Sequence, residues 1–171
     1  MKKNDETGGR KEVVFRPVGI VRTSASDDDV RERSQELEAT IEIFPEFEDA
    51  LDGLDGFSHI FVLCHLDRLR PEQIGVLKVR PRRLVKKGFK LEELPLVGVF
   101  ALDSPSRPNP IALSLVRLLH KRGRELTVSG LDCFNGTPVL DIKAYRGDYR
   151  ADQYDLAEWY SRLREKVGED V

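Results

Sequence analysis

Two stretches of the chain hold side chains whose types and spacing suit ligand binding or proton transfer. The first is the segment 103–110, in which Pro105, Pro108 and Pro110 fall between polar residues. Because each proline fixes φ and removes an N–H donor, we expect a stiff, extended loop between two buried strands. A rigid loop rich in donors and acceptors preorganises a ligand site. An edge loop whose polar residues only meet water fits these residues equally well.

The second stretch is 139–145, which the sequence predicts to be a strand. Asp141, Lys143 and Tyr145 occupy alternate positions in it, so we expect all three to project from one face. A carboxylate in such a group is a candidate proton acceptor, and the tyrosine would support it. A solvent-exposed strand face explains the same pattern, and for Lys143 that explanation is at least as good.

A basic cluster lies at 78–90, where seven of thirteen residues are Lys or Arg and none is acidic. The formal net charge of the chain is −2, so any contact with RNA must come from such local clustering. We therefore predict phosphate contacts here, although a solvated edge strand would also be rich in lysine. The candidate RNA-binding residues are Arg80, Arg82, Arg83, Lys86 and Lys87.

The composition is that of a soluble protein with one folded domain. Of the 171 residues, 40% are hydrophobic and 34% charged, and we expect a disordered tail at 1–11 and a single domain at 12–171. No apolar run reaches the length of a membrane span, and the N-terminus lacks the apolar region of a signal peptide. We therefore expect a cytoplasmic location. Cys64 and Cys133 are predicted to be buried free thiols. No metal site is expected, because a strand would hold His59 and His65 about 20 Å apart.

The chain contains many short apolar runs bounded by turn residues, and 39–44 alternates between apolar and polar residues; both patterns are typical of strands. A helical turn is predicted at 29–36, a short helix at 45–53 and a longer amphipathic helix at 152–167. Many strands with few helices predict a mainly β fold, a small antiparallel β-barrel or curled sheet. No G-x-G-x-x-G opens a helix after a strand, so a Rossmann-type architecture is excluded. The predicted strands are 13–21, 39–44, 58–66, 76–79, 96–102, 111–119, 126–131 and 139–145.

Four segments of the chain resemble a known family. SPSRPNPIALS at 104–114 is similar to the signature R-S-P-x-R-P-N-P-I-G-L-S of the TrmO family, and RPVGIV, GLDGFSHIFVL and LDCFNGTPVLDIKAY match in the family's order. The resemblance implies a methyltransferase that uses S-adenosylmethionine and acts on threonylcarbamoyl-adenosine beside the tRNA anticodon. It also implies a small barrel that forms a homodimer and binds the cofactor near the subunit interface.

The resemblance also implies which residues contact the cofactor. Phe134 would pack on the adenine, and Arg107 would suit the methionine carboxylate or an RNA phosphate. Asp67 holds the place of a family histidine, and Asp103 replaces the arginine of the family signature with an acceptor. The remaining implied cofactor residues are Ser104, Asn109, Leu113, Leu131, Asp132, Cys133 and Asn135.

The expected function is methyl transfer to a tRNA adenosine. Because Asp103 replaces the arginine of the family signature, the identity of the methyl acceptor stays open. The alternatives are a methyltransferase of the same fold with another small-molecule or protein acceptor, and a non-catalytic module that binds S-adenosylmethionine. Ala112 and Ala144, where the family has Gly and Pro, are further departures from the signature.

Overall fold

A computed structural model of the chain describes residues 12–168, so the tail predicted at 1–11 lies outside the described residues. Strands and α-helices alternate with several short 3-10 helices along this part of the chain. In chain order they are β1 (Gly19–Arg22), α1 (Asp27–Arg33), β2 (Glu38–Ile43), β3 (His59–His65), β4 (Lys78–Val79), β5 (Val97–Gly98), β6 (Ile111–Arg122), β7 (Glu125–Ser129), β8 (Pro138–Ala144) and α2 (Glu158–Val167).

Six of these strands close into a barrel in the order β1-β2-β7-β6-β3-β8, and β4 pairs only with β5. Every strand pair is antiparallel. The predicted mainly β fold with an antiparallel barrel is confirmed, and the architecture is not Rossmann-like. The hairpin of β6 and β7 turns at Gly123, whose φ of 54° lies in the left-handed region that favours glycine.

Alternation along the strands builds the barrel core. In β3 the side chains of Ile60, Val62 and Cys64 point inward and are fully buried, whereas Phe61 and Leu63 face outward. Each fully buried aliphatic side chain stabilises the fold by about 1.5–3 kcal/mol. The core also contains Val21, Ile41, Ile43, Val116, Leu126, Val128, Leu131, Cys133 and Val139.

The chain between β3 and β6 forms a second, smaller body outside the barrel. It contains the β4–β5 ribbon and a 3-10 helix at Arg82–Lys87, which is the centre of the predicted basic cluster. Leu84 and Leu94 of this body pack with Leu163 of α2, and Trp159 adds to the same cluster. Helix α2 therefore holds the basic segment in place.

Several predicted elements differ from the observed ones. The short helix predicted at 45–53 is a 3-10 helix at Pro45–Leu51, and the strand predicted at 76–79 contains only Lys78–Val79. The strand predicted at 13–21 is a strand only from Gly19, because Pro17 supplies no N–H to a ladder. The strand predicted at 96–102 becomes β5 followed by a 3-10 turn at Val99–Ala101, since so short an apolar run does not distinguish a strand from a helical turn. The helix predicted from 152 begins at Glu158, and the side chains of Tyr154 and Leu156 before it are exposed instead of forming an apolar helix face.

Candidate functional site

The fold brings most of the predicted cofactor residues to one end of the barrel. His65, at the end of β3, pairs with Ile111, at the start of β6. Asp67 follows β3 and Asn109 precedes β6, so both lie at this end. The loop 131–137 enters β8 at the same end, because Val139 pairs with Cys64 beside His65.

The loop 131–137 alternates between buried and outer side chains. Leu131 and Cys133 are each only 3% exposed and lie in the barrel core, so their side chains are not accessible to a ligand. The Asp132 carboxylate forms an ion pair with Arg83, whose Nη2 lies 2.7 Å from the Asp132 Oδ2. The side-chain oxygen of Asn135 accepts the backbone N–H of Thr23 at 3.2 Å. Two predicted cofactor residues therefore anchor the loop, and two others already have partners.

Cys64 and Cys133 are free, buried thiols, as the sequence predicted. A thiol–thiol hydrogen bond with Cys64 is the largest cause, ahead of burial, that raises the pKa of Cys133. The carboxylates of Asp132 and Asp67 add to the rise. The Cys133 thiol therefore stays protonated, and its hydrogen bond with Cys64 holds the loop against β3.

Two arginines that the sequence analysis missed lie at the ring of Phe134. The guanidinium carbon of Arg31 is 4.8 Å from the ring centre and that of Arg68 is 5.4 Å away. Both distances fit cation–π contacts. An adenine packed on this ring would meet these guanidinium groups. Arg68 could have been found from the sequence, because it directly follows the predicted cofactor residue Asp67.

The proline-rich segment 103–110 contains no helix or strand, as predicted, but its first flank is the 3-10 turn at Val99–Ala101 rather than a strand. Arg107 is half-buried, and its Nη2 donates to the carbonyl oxygens of Val99 at 3.1 Å and Leu102 at 3.3 Å. Arg107 thus holds the loop against the preceding turn. Leu113 and the side chains of Asp103 and Asn109 are exposed, whereas Ser104 is half-buried.

Asp141 and Lys143 lie together on the outer face of the barrel. The register of β8 against β3 shifts between Leu63 and Cys64, which turns Asp141 outward although Val139 points inward. The Asp141 carboxylate lies 2.6 Å from the Lys143 ammonium and accepts the backbone N–H of Ile142 at 2.9 Å. The hydrogen bond to Asp141 raises the pKa of Lys143, so the lysine stays charged and orients the carboxylate.

Tyr145 lies just beyond the end of β8 and joins an aromatic cluster. Its ring centre is 5.6 Å from that of Phe61 and 6.4 Å from that of Tyr149. The edge-to-face contact with Phe61 fixes the tyrosine next to the Asp141–Lys143 pair, because Phe61 faces Lys143 across the sheet. The structure therefore brings the three predicted catalytic residues to one outer face.

The outer face also links Asp141 to a predicted cofactor residue. Asp141 pairs with Leu63, which pairs with Leu113, so two strand spacings or about 10 Å separate the Asp141 and Leu113 backbones. Leu113 is 66% exposed. The cavity beside Asp141, lined by Phe47 and Leu51, measures only about 120 Å³ and is too small for a cofactor-sized ligand. In a single chain the site is an open face rather than a closed pocket.

The predicted RNA-binding residues fall into two groups. Arg83 pairs with Asp132, Lys86 pairs with Glu32 at 2.9 Å, and Arg80 donates to the carbonyl oxygen of Leu94. Arg82 and Lys87 are exposed and form no ion pair with any residue from 12 to 168. These two side chains are the ones open to a phosphate.

Two further properties concern residues 12–168 only. No group of three or more His, Cys, Asp or Glu side chains in this range is arranged to hold a metal ion. No helix in this range is long and apolar enough to cross a membrane.

Comparison with known proteins identifies relatives over most of the chain. The model of the tRNA-methyltransferase O N-terminal domain matches residues 30–151. A "Probable S-adenosyl-L-methionine-binding protein" of Methanothermobacter thermautotrophicus is 45% identical over 140 residues, which cover 80% of this chain and 93% of that protein. The human "tRNA (adenine(37)-N6)-methyltransferase" is 40% identical over 111 residues, or 65% of this chain and 23% of the human protein.

A solved structure described as "Crystal structure of TrmO" superimposes on this chain with a TM-score of 0.64 and 31% sequence identity. The alignment covers 85% of this chain, which spans 64% of the length of that structure. The sequence motifs, the barrel fold and the relatives all indicate the same family. The chain belongs to the TrmO family of S-adenosylmethionine-dependent tRNA methyltransferases, as its motifs predicted.

Proposed function

We propose that this chain transfers the methyl group of S-adenosylmethionine to the N6 nitrogen of threonylcarbamoyl-adenosine beside the tRNA anticodon. The observation that carries the proposal is the family match over 30–151, which contains both the proline-rich loop and the Asp141–Lys143 pair. The name of the human relative, which specifies adenine 37 and its N6 position, supports this methyl acceptor.

The residues at the barrel end and on the outer face suit the cofactor chemically. Asp103 and Asn109 offer exposed polar groups for the ammonium or the ribose hydroxyls, and Leu113 offers apolar surface. The bound cofactor supplies a methyl group already activated by its sulfonium. The protein then has to align the acceptor nitrogen and exclude water.

Asp141 is the proposed proton acceptor. Methyl transfer forms the N–CH₃ bond, breaks the S–CH₃ bond and releases the proton of N6, which the Asp141 carboxylate takes. Lys143 orients that carboxylate through their 2.6 Å contact and remains protonated. Tyr145 borders the acceptor through its contacts with Phe61 and Tyr149.

We also propose that the protein is a cytoplasmic homodimer. Leu113 and Leu115 are 66% and 46% exposed and lie on the same outer face as Asp141. Adjacent large apolar side chains on a surface favour an interface. A second copy packed on this face would close the site, which is open in a single chain, and would exclude water from it.

The acceptor class is tested by incubating the protein with methyl-labelled S-adenosylmethionine and, separately, with tRNA, a protein extract and a small-molecule extract. Label in tRNA alone is the expected result. Label in another fraction would favour a different acceptor. Cofactor binding without any methyl transfer would favour a non-catalytic binding module. This is the second candidate function, because the Methanothermobacter relative is named as a binding protein.

A further inference from the structure

Arg68 connects three segments of the chain that lie far apart in the sequence. It follows Asp67 at the exit of β3, and its Nη1 donates to both carboxylate oxygens of Asp27, at 3.1 and 3.0 Å. Its Nη2 donates to the carbonyl oxygen of Asn135. Its guanidinium carbon also lies 5.4 Å from the ring centre of Phe134. One side chain therefore links α1, the β3 exit and the 131–137 loop.

The outer half of that loop depends on such contacts. Leu131 and Cys133 fix the inner half within the barrel core. Phe134 and Asn135 lie outside the core, and Arg68 contacts both of them. Because the guanidinium is planar and carries several donors, it bonds Asp27 and Asn135 in different directions while it faces the ring. A lysine has one charged centre and cannot make all of these contacts.

We propose that Arg68 is a positioning residue for the cofactor, which holds Phe134 and Asn135 in the conformation that receives it. This role rests on the proposed function, because it takes the ligand of the loop to be S-adenosylmethionine. Arg68 acts through its contacts with Phe134 and Asn135, which fix the loop before the cofactor binds. Asp27 contributes to the same positioning role, because its ion pair with Arg68 fixes the direction of the guanidinium.

The test measures the Kd of S-adenosylmethionine and of S-adenosylhomocysteine for the full chain by calorimetry, with Tm recorded in parallel. Arg68→Gln and Arg68→Lys are both expected to weaken binding about tenfold. Their Tm should stay near that of the wild type, because the Arg68 side chain is 44% exposed. The matched control is Arg70→Gln, whose arginine is 75% exposed and pairs with Glu72 nearby; its Kd should change less than about twofold.

An Asp27→Asn variant completes a double-mutant cycle. Because Asp27 and Arg68 act through one contact, the double variant should bind no more weakly than Arg68→Gln alone. A folded Arg68→Gln protein with the wild-type Kd would overturn the proposal, and so would a loss of affinity that only follows the unfolded fraction. A wild-type protein that binds neither compound would overturn the proposed function itself, and this role with it.

Discussion

At the scale of single residues, the Asp141 carboxylate is the group on which the proposed chemistry depends. Strand alternation correctly predicted that Asp141 and Lys143 share a face, but not why this face is the outer one. The reason is the register shift beside Leu63, which depends on how β8 meets β3 and is invisible in a single strand. Arg68 and Arg31 were missed for a related reason, since their contacts join segments distant in sequence.

Replacing Asp141 should separate catalysis from binding. We expect Asp141→Asn to lower the single-turnover rate of methyl transfer about 100-fold or more and to leave the Kd of S-adenosylmethionine unchanged, because the amide cannot accept the proton. Asp148→Asn is the matched control, since Asp148 is an exposed carboxylate that also pairs with a neighbouring cation, Arg146 at 3.0 Å. Full activity of Asp141→Asn would remove this carboxylate from the mechanism.

The Cys133 thiol should make stability depend on pH. Its pKa is raised in the folded protein, so the folded state holds this proton more tightly than the unfolded state does. The stabilisation is complete below the ordinary thiol pKa of about 8.5 and is lost as the pH rises toward the folded pKa. We expect urea unfolding to show lower stability at about pH 9.5 than at about pH 7, and a smaller difference in Cys133→Ala. An unchanged difference in that variant would contradict this account of the thiol.

At the scale of elements, the strong patterns were predictable and the weak ones were not. β2 follows a clear apolar alternation, β3 and β6 contain apolar runs, and the positions of all three agree with the prediction to within a few residues. The body between β3 and β6 is built of short 3-10 helices, whose packing against Leu163 of α2 is set by distant contacts. Its basic segment was recognised from charge alone, without the ion pairs that occupy part of it.

The basic segment should bind phosphate mainly through its unpaired residues. The double variant Arg82→Gln/Lys87→Gln is expected to weaken tRNA binding and to lower the slope of log affinity against log salt by about 2. The matched variant Arg83→Gln/Lys86→Gln should change the slope less, because both of these residues already pair with acids. Equal slopes in the two variants would contradict this prediction and show that the ion pairs do not affect tRNA binding.

At the scale of the whole molecule, the proposed catalytic residues lie on an open outer face of the barrel. The motifs predicted the barrel and the family, but no pattern in the strands predicted how the outer face is covered. Leu115 is 46% exposed and lies two strands from Lys143, with Phe61 between them. The proposed homodimer would cover this open face and exclude water from the reacting atoms.

Disrupting the proposed interface should lower activity without unfolding the chain. We expect Leu115→Arg to shift the protein from dimer to monomer in analytical ultracentrifugation and to reduce methyl transfer, with little change in Tm. Leu156→Arg is the control, because Leu156 is similarly exposed, at 41%, on the segment before α2. A wild-type protein that sediments as a monomer and is fully active would exclude the homodimer.

The most direct measurement identifies the nucleoside that receives the methyl group. Purified protein is incubated with methyl-labelled S-adenosylmethionine and tRNA that carries threonylcarbamoyl-adenosine, with the same tRNA lacking that modification as the control. The RNA is then digested and its nucleosides are separated by chromatography and mass spectrometry. Label on N6 of threonylcarbamoyl-adenosine, and none in the control tRNA, is the predicted result. Label on another nucleoside, or none although the cofactor binds, would contradict the proposed acceptor.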